Sequence, residues 1–259
     1  MGSECGDVHL CADFVDSNGS SEVGDTIKNI KFFLLTILVC IIFAQSKEVV
    51  ILLHGVLRTP MSMKIIELRL EKEGFDVLNY GYHSRQKIIE NHAKDLAEFL
   101  QTQEFEPTDT VHFVTHSMGS LVARYFLSHY KLNHAGRFVM IAPPNQGSSM
   151  ADYLSEKKWY RWIWGAPAEQ FLTADSSFAK NAGIPPREFG IIAGGKGDGA
   201  GWNPIISGDD DGTVSVEQTK LDGMKDFIVI RNLHSLLLWD KEAVEQIVAF
   251  LKNGEFERR

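Results

Sequence analysis

Ser117, Asp211 and His234 are the residues whose types and spacing could do chemistry together. A serine hydroxyl is a poor nucleophile at neutral pH. It needs a neighbouring base, and the base needs a third group to orient it. Ser117 lies in Val-His-Phe-Val-Thr-His-Ser-Met-Gly-Ser-Leu-Val-Ala-Arg, residues 111–124. Val111 to Val114 is a short apolar run that reads as a buried strand, and the apolar-periodic segment after Gly119 reads as a helix. A serine pinched between the two sits on a tight turn with its hydroxyl pushed out toward a substrate. This is the elbow written G-x-S-x-G, with Thr115 where the first glycine usually stands. The competing reading is an ordinary strand–turn–helix carrying an incidental serine.

The acid and the base should come later in the chain, on loops at the carboxyl ends of later strands, since a parallel sheet gathers such loops along one edge. Asp211 follows the strand expected at Glu188–Ala193 across a glycine-rich loop. His234 follows the strand expected at Asp226–Arg231. Asp209 and Asp210 compete with Asp211 for the acid, and the triple aspartate also reads as a solvated turn or a calcium site. An oxyanion would need two backbone N–H donors. Met118, the residue after the nucleophile, supplies one. The other comes from the loop after the first strand, at Val56 or, second in order, Leu57. His54 and Leu57 are expected beside the substrate, with His54 also bonding within its own loop. His83 is placed at the pocket's edge. His112 and His116 flank the elbow but lie on the strand or its turn, where a base is not needed.

The elements that must position these residues alternate down the chain. Strands are predicted at Val49–Leu53, Phe75–Tyr82, Val111–Val114, Arg137–Ala142, Glu188–Ala193 and Asp226–Arg231. Helices are predicted at Met61–Lys72, Ile88–Leu100, Ser120–Tyr130 and Asp240–Lys252, with a short one at Val216–Met224. The first helix offers Ile65, Ile66, Leu68 and Leu70 as a broad apolar face. This alternation predicts an α/β fold: a mostly parallel sheet of about six strands with helices on both faces. Residues 150–187 break the pattern and read as a small cap. Trp159, Trp162 and Trp164 within it are expected either to meet an acyl chain or a lipid surface, or simply to pack on the domain.

The 259 residues carry 44% hydrophobic and 23% charged residues and a formal net charge of -8, an ordinary globular composition. The acidic balance excludes a nucleic-acid surface, which would show clustered Lys and Arg. Residues 1–46 read as an extension outside the fold, and 47–259 as the domain. Lys28 and Lys31 precede an apolar run, Phe32 to Ala44, and Ala44-Gln45-Ser46 offers small residues for cleavage. That order is a secretory signal and implies export, secreted or periplasmic. An uncleaved single-pass anchor is the alternative. All three cysteines, Cys5, Cys11 and Cys40, precede the cut. The remaining chain thus has neither a cysteine nucleophile nor a cysteine-ligated zinc.

Leu-Leu-His-Gly-Val, Thr-His-Ser-Met-Gly-Ser-Leu-Val-Ala-Arg, Ala-Pro-Pro-Asn-Gln-Gly-Ser and Asp-Gly-Thr-Val together resemble bacterial lipases and related α/β-hydrolases, including the GPI-inositol-deacylase-like group. The likeness covers roughly residues 47–251, and the order Ser, Asp, His is the one that fold uses. It departs at Thr115 and at Pro144-Asn145-Gln146-Gly147, where Pro-His-x-Gly is more usual. The resemblance implies a serine hydrolase of lipid or small-molecule carboxylic esters with Ser117, Asp211 and His234 as its triad. No metal or organic cofactor is implied, and the cap is where membrane-surface contact would fall. An acyltransferase or thioesterase would use the same triad. A non-catalytic binding protein on this fold would more often have lost one member of it.

Overall fold

Val49 to Leu53 is apolar at every position because it is covered on both faces. Val49, Ile51 and Leu53 face one core cluster, and Val50 and Leu52 face the other. A strand that alternates between two cores has no polar face to spare. The computed structural model describes residues 30–33 and 46–258. Residues 30–33 are helical and exposed, and the described residues from Ser46 onward form a single unit. The remainder of the predicted signal, and all three cysteines, lie outside the described residues. Among the described residues no helix is long and apolar enough to cross a membrane.

In chain order that unit runs β1 (Glu48–Leu53), α1 (Lys64–Lys72), β2 (Asp76–Tyr80), α2 (Ile89–Gln101), β3 (Thr110–His116), α3 (Met118–His129), β4 (Phe138–Ile141), α4 (Ser149–Ser155), α5 (Tyr160–Trp164), α6 (Phe178–Asn181), β5 (Phe189–Gly195), α7 (Val216–Thr219), β6 (Asp226–Arg231) and α8 (Lys241–Asn253). The six strands form one sheet in the order β2-β1-β3-β4-β5-β6, and every pair is parallel. The core on one face holds residues of α2 and α3. The core on the other holds residues of α1 and α8. Every strand's carboxyl end therefore lies along one edge, where its loop can contribute to a common site.

Three segments differ from expectation. The first helix opens as a 3-10 turn, Pro60–Met63, and buries only Ile66 and Leu70 in its helical part. Ile65 and Leu68 face outward, so the broad apolar face is in fact a narrow seam. The segment predicted as a helix at Val216–Met224 is one turn, fixed by a capping box between Ser215 and Gln218. The cap region consists of short pieces only: α4, α5, a 3-10 turn at Ala168–Phe171, and α6.

At the elbow the missing glycine is accommodated by a side chain. Thr115, next to last in β3, is fully buried, and its Oγ1 shares a hydrogen bond with Ser120 Oγ at 2.8 Å. The second glycine has no such freedom. A Cβ on Gly119 would lie 2.6 Å from Leu53 O and 2.8 Å from His54 O. Only glycine lets α3 lie this close to the end of β1, and that closeness brings the first loop against the serine.

Candidate active site

Ser117 has φ 52 and ψ -123, a region that non-glycine residues rarely occupy and that costs roughly 1–3 kcal/mol. Its N–H donates to Ile141 O at 2.9 Å, tying the strained turn to β4. His234, on the loop after β6, brings Nε2 to 3.0 Å from Ser117 Oγ. On the other side of the ring, Nδ1 lies 2.7 Å from Asp211 Oδ2. A carboxylate only accepts, so Nδ1 carries the proton. Nε2 of the neutral ring is then bare and accepts from the serine hydroxyl.

Asp211 is set as firmly as its partner. It is buried, and its Oδ1 accepts the N–H groups of Thr213 at 2.9 Å and Val214 at 2.8 Å. Its carbonyl accepts His234 N–H at 2.9 Å. The neighbouring aspartates are otherwise engaged. Asp209 accepts from the N–H groups of Lys196 and Gly197, and Asp210 accepts from those of Asn203 and Gly212. Of the three, Asp211 alone meets His234. Among the described residues no group of three or more His, Cys, Asp or Glu is arranged to hold a metal ion.

Two amides stand ready near Ser117. Met118 begins α3, so its N–H has no carbonyl one helical turn behind it. Val56 lines the same cavity as Ser117. The Leu57 amide, the other candidate from this loop, donates to Ser84 Oγ at 3.1 Å. A Cβ on Gly55 would fall 2.9 Å from His116 Nδ1 and 3.1 Å from Ser117 Cβ, a measure of how closely the loop approaches the elbow.

The other predicted residues are sorted by their surroundings. His54 is fully buried and does not reach the cavity: its Nδ1–H donates to Gly55 O at 2.9 Å, and its ring stacks on Tyr82 at 4.3 Å. Tyr82 O–H in turn donates to His54 O at 2.5 Å. Leu57 and His83 line a separate surface depression beside Arg58 and Ser84. Of the three tryptophans only Trp164 reaches the cavity at Ser117. Trp159 and Trp162 point outward, Trp162 at 78% exposure. The side chains that replace them are Tyr160, Leu154, Met150 and Phe171. Met150 lies in α4 and Phe171 ends the 3-10 turn, pieces so short that only the apolar character of the segment could have pointed to them.

His116, unassigned from sequence, also has a place here. It is buried, its Nε2–H donates to His234 O at 3.1 Å, and the two rings lie 4.8 Å apart. Burial pushes its pKa well down, helped by the adjacent His234. Burial lowers His54 and His92 in the same direction.

His112 shows what these neutral histidines mean for stability. Burial, with Arg137 and Arg187 nearby, depresses it from 6.5 to about 4, and its Nδ1 accepts Arg137 N–H at 3.0 Å. Between those values the unfolded chain binds a proton that the folded chain refuses. The stability contributed by neutral His112 is therefore complete above pH 6.5 and is lost as pH falls toward 4. At 1.36 kcal/mol per unit this amounts to roughly 3 kcal/mol below both values. The urea midpoint is expected to fall steeply across that window, and a midpoint flat from neutral pH down to about 4 would contradict the assignment.

A six-stranded parallel sheet, a strained serine between β3 and α3, an acid after β5 and a histidine after β6 define one architecture. The chain has the α/β-hydrolase fold. Solved structures sharing this hydrolase fold include the mature form of Bacillus licheniformis lipase BlEst2, with a TM-score of 0.62 and 16% identity over 80% of this chain and 91% of that one. The metagenomic carboxyl esterase MGS0156 superposes with a TM-score of 0.55 at 15% identity, covering 75% of this chain and 66% of that one. Phospholipase PlaB from Legionella pneumophila gives a TM-score of 0.52 at 18% identity. There, 67% of this chain is covered but only 44% of PlaB. No protein-family model and no curated protein matches the sequence significantly.

Proposed function

We propose that the chain is a serine hydrolase that cleaves carboxylic esters through an acyl-enzyme. The observation that carries this is the unbroken sequence of hydrogen bonds from Ser117 Oγ through His234 to Asp211. Ser117 Oγ attacks the ester carbonyl as His234 Nε2 takes its proton. Asp211 holds the ring in the tautomer that can do so and balances the imidazolium that forms. The N–H groups of Val56 and Met118 hold the oxyanion, each worth a few kcal/mol in the transition state. His234 returns the proton to the departing alcohol, and water, activated by the same nitrogen, releases the acid. The lipase and esterase names among the structures of like fold support the reaction class.

A fluorophosphonate reports on this directly, because it reacts with an activated serine and not with a free hydroxyl. The expected result is one label per chain, found by mass spectrometry on the peptide containing Ser117. Folded protein that takes no label would overturn the reading.

A further inference from the structure

We propose that the acyl group accepted by this site is a short, uncharged alkanoyl, its length limited by the small cavity beside Ser117. The inference rests on the hydrolase reading and adds the substrate class to it. The cavity has a volume of about 40 Å³. An apolar cavity that takes up benzene measures roughly 150 Å³. The space beside Ser117 is well below that, so it holds a chain of a few carbons and not a long one.

Which half of the ester enters the cavity follows from His234. The leaving oxygen must lie within hydrogen-bond reach of Nε2, because that nitrogen protonates it. His234 is not part of the cavity lining, so the alcohol stays outside and the acyl chain goes in. The lining is mainly apolar: Val56, Pro144, Leu154, Tyr160, Trp164 and Phe171. Two of its hydroxyls are already engaged. Tyr160 O–H donates to Ala168 O at 2.8 Å, and Ser148 O–H donates to Thr213 O at 2.7 Å. A charged acyl chain would find no opposite charge in this lining and would lose its hydration.

The far wall is tied in place. Ser148 N–H donates to Phe171 O at 2.8 Å and Ala166 N–H to Arg85 O at 2.9 Å. Gln170 accepts from Ile89 N–H at 2.7 Å and donates to Glu90 at 2.6 Å. Farther along the same segment, Arg124 donates to Ala179 O at 2.9 Å from the helix behind the nucleophile. A wall stitched to α2 and α3 on either side has few ways to retreat from a longer chain.

The test is kcat/KM for p-nitrophenyl acetate, butanoate, octanoate and dodecanoate, which share a leaving group and differ only in the acyl chain. Butanoate is expected to exceed octanoate by at least tenfold. In Leu154→Ala the octanoate-to-butanoate ratio should rise at least fivefold, and Phe171→Leu should move it the same way should the first variant fail to fold. Octanoate or dodecanoate turned over as well as butanoate by the parent chain overturns the proposal. If that chain still labels at Ser117, the hydrolase reading survives the loss. No turnover at any length together with no label removes both.

Discussion

Alanine at either Ser117 or His234 is expected to lower kcat on an ester by about five to six orders of magnitude, and alanine at both to lower it no further. The reason lies in the 3.0 Å contact between Ser117 Oγ and His234 Nε2. Without the base the hydroxyl keeps its proton, and without the hydroxyl the base has nothing to activate. Each residue has its catalytic effect only through the other, so the losses do not add. A residual rate over the uncatalysed reaction should persist, because the Val56 and Met118 amides remain to stabilise the oxyanion. Steady-state kinetics on the two single variants and the double variant checks the point. Losses that multiply would mean that serine and histidine act separately.

Asp211→Asn is expected to cost about four orders of magnitude in kcat while leaving the fold intact. The surroundings of the carboxylate decide how an amide would sit. Oδ1 accepts two backbone N–H groups, from Thr213 and Val214, so the amide oxygen must take that place. The NH2 is then forced toward His234 Nδ1, where it can only donate. Nδ1 must become the acceptor, the ring proton moves to Nε2, and a protonated Nε2 cannot receive the serine's proton. Asp209→Asn should leave turnover near the parent's, because its carboxylate serves only the Lys196 and Gly197 amides. A severe loss at Asp209 with little at Asp211 would transfer the role. The folded state of each variant can be verified independently by its urea midpoint.

The strands were legible because those inside a parallel sheet must be apolar on both faces, and Val49–Leu53 and Val111–Val114 can be little else. The hydrogen-bonded trio Ser117, His234 and Asp211 was legible because its members stand at the ends of such strands in a fixed order. The pocket was less so. Trp159 and Trp162 were expected with Trp164 to meet substrate, yet α5 is a helix of five residues, Tyr160–Trp164, and its direction is set by the neighbours it docks against. Tyr160 turns inward to bond Ala168 O, and Trp162 is thereby turned out. Ile65 and Leu68 misled for a related reason. Hydrophobicity marks what can be buried, while the width of the buried seam depends on what packs opposite. The bond from His116 to the His234 carbonyl spans 118 positions, and no local pattern announces a contact of that range.

The sheet order has a consequence for how the protein comes into being. β6 is an edge strand, paired only with β5, and it emerges late in synthesis. A domain folds as a unit, and synthesis delivers its carboxyl end last. The serine's segment is thus made while His234, 117 residues downstream of Ser117, has yet to be added. A nascent chain in that condition holds the serine without its imidazole partner, and on the proposed reading it is inert toward esters. Docking of the last strand delivers His234 N–H to the Asp211 carbonyl and the imidazole to the serine together, so the step that completes the fold also completes the proposed site.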